Sequence, residues 1–229
     1  MMWRALYTFA LSAAVPFVLL RLWWRGRREP GYRRHIAERF GHYSEDRSDR
    51  PVVWLHAVSV GEARASAALV RALAIANTGC DVLVTCMTAA GRDTLKELHG
   101  EAVRIAWLPY DHPGAVRRFL EHFRPRLGVL METEIWPNLL AACSEYGIPV
   151  LLANARLSEK SARGYERWRG LARPALASLS AVCAQSGEDA ARLRVLGAKR
   201  VEISGNLKFD SAPDDVKRAQ GRAWRERLG

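Results

Sequence analysis

Val52-Val53-Trp54-Leu55-His56-Ala57-Val58-Ser59-Val60-Gly61-Glu62 is the stretch that decides the fold. Val52–Ala57 is an apolar, β-branched run that reads as a strand, and Ser59-Val60-Gly61-Glu62 stands where that strand turns into a helix. The pattern repeats outward from it. Further strands are predicted over Asp81–Thr85, Val103–Leu108, Leu127–Met131, Val150–Ala153, Ala181–Ala184 and Val201–Ser204. Between them, Val116, Phe119, Leu120 and Phe123 mark one face of a helix, and Pro137 suits the first turn of another. A third helix runs from about Glu188 to Leu196, before Gly197, and a basic helix is expected over Asp214–Leu228. Strand–helix alternation with short connections predicts an α/β fold over residues 51–229: a Rossmann-like parallel sheet with helices on both faces. A segment of that length can bury roughly 70% of its unfolded surface, enough for a core. A hydrophobic content of 49% and a charged content of 26% exclude a disordered chain.

In such sheets ligands bind at the carboxyl ends of the strands, so chemistry is sought just after each one. There stand Ser59, Gly61 and Glu62; Tyr110 and Asp111; Glu132 and Glu134; Asn154 and Arg156; Gly205 and Asn206. Polar groups or glycines at nearly every turn fit a wide polar cleft. Gly61 lets backbone come close to a ligand, and the N–H groups that start a helix favour anions. Glu62 has two readings, a carboxylate stabilised by the helix dipole or a catalytic base, and under either it is expected in an exposed turn. The dipole lowers its pKa, so useful basicity needs burial or a neighbouring carboxylate. Glu132 and Glu134, beside a buried strand and Trp136, can supply that neighbour or can be solvated strand-end residues.

Other chemistries leave no trace. No G-x-G-x-x-G follows a strand, and no Walker A loop, G-x-S-x-G elbow or H-E-x-x-H occurs. The six histidines lack metal-ligand spacing, so no metal site is expected, and His56 reads as packed in or beside the first strand. Cys80, Cys86, Cys143 and Cys183 form no C-x-x-C pair and read as buried thiols in a reducing compartment.

The start of the chain has a different character. Ala5 to Leu20 are uncharged and mostly apolar, and as a helix they cover roughly 24 Å. Trp23 and Trp24 then suit a membrane interface. Seven arginines lie between Arg21 and Arg39, a large part of a formal net charge of +11. Such a run suits phospholipid headgroups or nucleic acid, and the apolar segment before it favours the membrane. Residues 1–24 are therefore expected to be an anchor, spanning or deeply interfacial, with the rest of the chain on the cytoplasmic side. Residues 25–50 are read as a basic juxtamembrane segment and linker, the polar, aperiodic 41–50 being the linker proper.

Taken together, several short motifs resemble the 3-deoxy-D-manno-octulosonic acid (Kdo) transferase family of lipopolysaccharide biosynthesis. They are Arg21-Leu22-Trp23-Trp24-Arg25-Gly26-Arg27, His56-Ala57-Val58-Ser59-Val60-Gly61-Glu62, Leu108-Pro109-Tyr110-Asp111, Met131-Glu132-Thr133-Glu134-Ile135-Trp136-Pro137-Asn138, Ala153-Asn154-Ala155-Arg156-Leu157-Ser158 and Gly205-Asn206-Leu207-Lys208-Phe209-Asp210. The resemblance implies the N-terminal half of a GT-B glycosyltransferase at the inner membrane, one that moves Kdo from CMP-Kdo to the lipid A precursor lipid IVA. It implies inversion, with no cofactor and no metal. By motif, Glu62 matches the general base, and Glu132 and Lys208 match transition-state stabilisers. Ser59, Gly61, Asn154, Arg156 and Asn206 fall at substrate-binding positions. Family members carry a second domain that supplies most CMP-Kdo contacts, and that donor domain is expected to be absent from this chain. Two other classes stay open: a non-catalytic membrane-bound module that holds the acceptor lipid, and a nucleic-acid binder. The anchor, and the lack of aromatic-rich basic motifs, speak against nucleic acid.

Overall fold

The computed structural model describes residues 2–76, 78–210, 223–225 and 227. Its strands are β1 (Val52–His56), β2 (Asp81–Cys86), β3 (Arg104–Trp107), β4 (Pro125–Met131), β5 (Val150–Ala155), β6 (Ala181–Ala184) and β7 (Val201–Ile203). They make one sheet in the order β3-β2-β1-β4-β5-β6-β7, parallel throughout. Each predicted strand is present, its ends displaced by at most two residues. The chain builds β1 to β3 outward in one direction, then returns to lay β4 on the other side of β1. Strand order therefore reverses between β1 and β4, and the crevice beyond their carboxyl ends is where this fold binds ligands.

Helices α2 (Val60–Ala76), α3 (Ala89–His99), α4 (Pro113–Phe123), α5 (Pro137–Glu145), α6 (Glu159–Arg167), α7 (Arg169–Ala177) and α8 (Gly187–Val195) fill the crossovers. The predicted helices are α4, α5 and α8. The basic helix expected over 214–228 falls mostly outside the described residues. Because strand side chains alternate, β1 feeds two cores. Val52 and Trp54 pack with Phe119, Leu120 and Leu140 on one face. Leu55 and Ala57 pack with Ala63, Val70 and Leu95 on the other.

Gly128 in β4 exists because of Trp54. A Cβ at this position would lie 2.9 Å from Trp54 Cε3, and Trp54 is completely buried. Gly128→Ala is expected to cost about 1–3 kcal/mol by overpacking, read as a lower urea midpoint at unchanged slope. A midpoint equal to wild type would mean that the indole has room to shift.

The segment before β1 departs from its reading as linker. Short 3-10 turns at Pro30–Arg33 and Ile36–Phe40 bury Tyr32, Glu38 and Arg39. Glu38 accepts from Arg92 Nη1 at 2.8 Å and from the Trp107 N–H at 2.8 Å. The Arg39 guanidinium stacks 4.0 Å from the Trp107 ring centroid. Within 41–50, the Tyr43 hydroxyl donates to the Trp107 carbonyl and Ser48 to Asp81. The partners lie in β2, β3 and α3, remote in sequence, so local patterning could not show them. Cys86 and Cys143 are buried as expected, whereas Cys80 and Cys183 are only half-buried; all four are free.

The N-terminal helix, α1 (Met2–Arg28), rests on the same body. Arg4 pairs with Glu145 at 3.4 Å, and Asn138 Nδ2 donates to the Thr8 hydroxyl at 3.0 Å. Near its other end, Leu22 is buried in the cluster that holds Tyr32 and Trp107.

Candidate active site

The β1–β4 crevice is lined first by the start of α2. Ser59 precedes that helix and Glu62 sits three residues on, a reciprocal capping arrangement. The Ser59 hydroxyl donates to Glu62 Oε1 at 3.0 Å, the Glu62 N–H faces Ser59 Oγ at 3.4 Å, and the Val58 N–H donates to Glu62 Oε2 at 2.9 Å. These bonds draw the carboxylate in until only 8% of the residue is exposed. The expectation of an exposed turn is thus corrected: the cap folds the side chain back over its own loop.

Burial raises the Glu62 pKa above the ordinary carboxylate range, against the pull of the Val58 and Ser59 hydrogen bonds. Glu132 adds to the rise and Lys208 opposes it, so both charges lie within electrostatic reach of Glu62. The offset that basicity requires is therefore supplied chiefly by desolvation, with Glu132 second to it.

Across the crevice, Glu132 follows β4 with φ of 57°, a left-handed conformation that non-glycine residues seldom adopt. Its N–H donates to the Ala153 carbonyl at 2.9 Å, which holds the strained backbone against β5. Glu134 accepts from Trp136 Nε1 at 2.9 Å. Its pKa is pushed up to about 7, by burial first and then by the charge of Glu62. Three carboxylates thus share one crevice, and the charge of Glu62 helps to raise the pKa of Glu134.

Asn154, after β5, also has a positive φ, 53°, and is 1% exposed. Its Oδ1 accepts from the Leu207 N–H at 3.1 Å, which ties β5 to the turn Leu207–Asp210. Its Nδ2 has no hydrogen-bond partner among the described residues. Asn206 Oδ1 accepts from the Lys208 N–H at 3.0 Å, and the turn packs on α2. Asn154 and Asn206 therefore set where Lys208 stands relative to Glu62.

Of the residues singled out in the sequence, Ser59, Glu62, Glu132 and Lys208 converge, and Asn154 and Asn206 hold the turn that carries Lys208. Gly61 is exposed, and a Cβ there would meet only Ser59 Oγ, at 3.8 Å, which leaves the loop open to a ligand. Arg156 does not join the cluster. Its carbonyl accepts from the Thr133 hydroxyl, but its exposed guanidinium makes no hydrogen bond or ion pair among the described residues. His56 is buried in β1 as expected, its Nδ1 2.9 Å from Thr85 Oγ1, and burial lowers its pKa to about 3, so it is neutral. Tyr165 went unnoticed in the sequence. Its hydroxyl donates to the Thr133 carbonyl at 3.3 Å from α6, a helix with no local signal linking it to β4. Beside Ile135 opens an apolar cavity of about 680 Å³, lined by Trp3, Leu6, Tyr7, Tyr165 and Trp168.

Comparison with known proteins falls on this same region. A family model described as 3-Deoxy-D-manno-octulosonic-acid transferase (kdotransferase) matches residues 34–211. The 3-deoxy-D-manno-octulosonic acid transferase of Bordetella pertussis is 46% identical over 97% of this chain and 54% of its own length. That of Haemophilus influenzae is 34% identical over 93% of this chain and 51% of its own. The chain spans about half the length of the curated relatives it matches. Among solved structures, the S. aureus MnaA-UDP co-structure matches with a TM-score of 0.51 at 15% identity, covering 72% of this chain and 48% of that one. That is a likeness of fold alone.

Proposed function

The chain belongs to the 3-deoxy-D-manno-octulosonic-acid transferase family, and on that premise we propose that it is the acceptor-side half of a glycosyltransferase moving Kdo from CMP-Kdo to lipid IVA. Residues 1–24 anchor the chain at the cytoplasmic face of the inner membrane, next to anionic lipids.

The observation that carries the reading is Glu62: a capped, buried carboxylate of raised pKa at the strand-order reversal, with Glu132 and Lys208 in electrostatic reach. An acceptor hydroxyl is a poor nucleophile until a base takes its proton as the new bond forms. Glu62 takes that proton. The hydroxyl oxygen attacks the anomeric carbon, the bond to the CMP phosphate breaks, and the configuration inverts. CMP departs as an anion, so no partner acid is required, and the scheme uses no metal or cofactor. Lys208 offsets negative charge on the leaving phosphate or the Kdo carboxylate. Glu132 steadies positive character at the anomeric centre. Ser59, Gly61, Asn154 and Asn206 shape the acceptor side of the crevice. Arg156, exposed at the rim, is left to meet substrate directly. The apolar cavity beside Ile135 has the lining an acyl chain requires.

The test is a transfer assay. This chain, joined to the donor-side half of the Bordetella pertussis relative, is given radiolabelled CMP-Kdo and lipid IVA over a range of pH. Labelled lipid is expected. The rate should fall as pH drops through the raised Glu62 pKa, since the protonated acid cannot accept a proton. Glu132→Gln removes the neighbouring charge that adds to the raised Glu62 pKa and should move that acid limb to lower pH. A limb unmoved or shifted upward would exclude electrostatic coupling to the base. Absence of labelled lipid at every pH, with the parent relative active, would remove the acceptor-side assignment.

A further inference from the structure

Helix α1 has two unlike faces. Tyr7, Leu11, Ala14, Val18, Leu22 and Gly26 recur at spacings of three and four, and all are half-buried or buried against the body. On the opposite side Met2, Leu6, Phe9, Phe17, Leu20 and Trp24 are 76%, 56%, 72%, 74%, 62% and 56% exposed. The inward stripe runs the whole length of the helix. At one end Trp3 stands edge-on to Trp168 with centroids 6.1 Å apart, and Arg4 reaches Glu145. In the middle, Asn138 at the start of α5 bonds Thr8. At the other end Leu22 is buried, and Arg33 donates to the Trp23 carbonyl at 2.9 Å.

A helix that crosses a bilayer leaves its ends on opposite sides of a ~30 Å hydrocarbon layer. Both ends of α1 are bound to one globular body. Its 27 residues span about 40 Å, and that length lies alongside the body rather than projecting from it. The exposed stripe is nonetheless too apolar and too continuous for water. Next to it, Arg21, Arg27 and Arg28 are exposed, with Arg27 and Arg28 over the rings of Trp23 and Trp24 at 5.0 and 4.9 Å. Indole rings and arginines together match the headgroup layer of an anionic membrane.

We propose that α1 lies in the plane of the membrane, its Met2–Leu6–Phe9–Phe17–Leu20–Trp24 face sunk into one leaflet of anionic phospholipid, and does not span it. This placement rests on the membrane association proposed above. It also sets the crevice against the lipid surface. Through Asn138, α1 touches the start of α5, a few residues after Glu132 and Glu134, and Leu6 and Tyr7 help to line the apolar cavity. An acceptor lipid can then reach Glu62 by lateral movement within the leaflet.

The test uses the full chain in sealed phosphatidylcholine–phosphatidylglycerol vesicles, with Cys80 and Cys183 replaced by Ser. One thiol is placed at Ala5→Cys, exposed near the start of α1 but off the lipid-facing stripe, and, in a second variant, at Glu188→Cys on the body. A membrane-impermeant maleimide is applied before and after opening the vesicles with detergent. In-plane placement predicts that both thiols react on the same side, with intact-to-opened ratios within about twofold of each other. An Ala5→Cys thiol that reacts only after opening, while Glu188→Cys reacts beforehand, would overturn the in-plane geometry and leave the membrane association standing. Chain that does not float with the vesicles would overturn the association itself. As a second measurement, Phe17→Glu with Leu20→Glu should lower the floated fraction at least tenfold at limiting lipid, and undiminished flotation would also overturn the proposal.

Discussion

Glu62→Gln, in the joined enzyme of the assay above, is expected to lower turnover by ~10²–10⁴-fold, the range for loss of the proposed general base. The change retains shape and one acceptor oxygen but removes the site that takes the proton. Because Glu62 is capped and buried, its fold cost is not negligible. One donor of the pair, the Val58 N–H or the Ser59 hydroxyl, comes to face an amide NH₂. A cap loss of this kind costs about 1 kcal/mol, far too little to mimic the loss of turnover in a protein that remains folded. Thermal denaturation run beside single-turnover kinetics separates the two effects. Retention of more than about a third of wild-type turnover, less than 1 kcal/mol in barrier terms, would return Glu62 to the role of a helix cap.

Glu38→Ala should be the most damaging change to the fold outside the hydrophobic core. Arg92 is 7% exposed, and without Glu38 its charge is left buried beside the Ile105 carbonyl, 3.0 Å from Nη2, with no carboxylate to balance it. Breaking a buried pair by removing one member costs about 3–5 kcal/mol. In a chain of this size that corresponds to roughly 6–20 °C in Tm. The Trp107 N–H also loses its acceptor. The contrasting control is Glu159→Ala, whose partner Arg163 is as exposed as Glu159 itself, and such a pair contributes about 0–1 kcal/mol. Equal loss in the two variants would mean that the segment before β1 is not part of the folded unit.

Those two residues also mark how far the sequence could be read. β1 to β7 were legible because each is a compact apolar run closed by a turn, and Glu62 and Glu132 because each follows such a run. Position after a strand was enough to nominate them. It was not enough to place Arg156, which follows β5 in the same manner yet points to solvent. Nor does sequence alone give the strand order that sets β1 beside β4, or the left-handed backbone at Glu132 and Asn154. Those depend on which chain crosses back over which. Glu38 and Arg39 carry the general lesson of a basic stretch: charged residues look solvated until an aromatic ring or an opposite charge, tens of residues away, is found against them.

The docking of α1 also has a consequence for how the protein is made. Its partners Asn138, Glu145 and Trp168 are encoded between 130 and 165 positions later than the residues they touch. At about 5–20 residues per second, a nascent chain needs roughly 7–33 s to supply them. Through that interval both stripes of α1 are outside the ribosome with no protein surface to cover them. A bilayer is the first apolar phase they can enter, so under the in-plane placement proposed above the helix would reach the lipid before the sheet exists. The α/β body would then assemble on a helix already held there, closing over its inward stripe last.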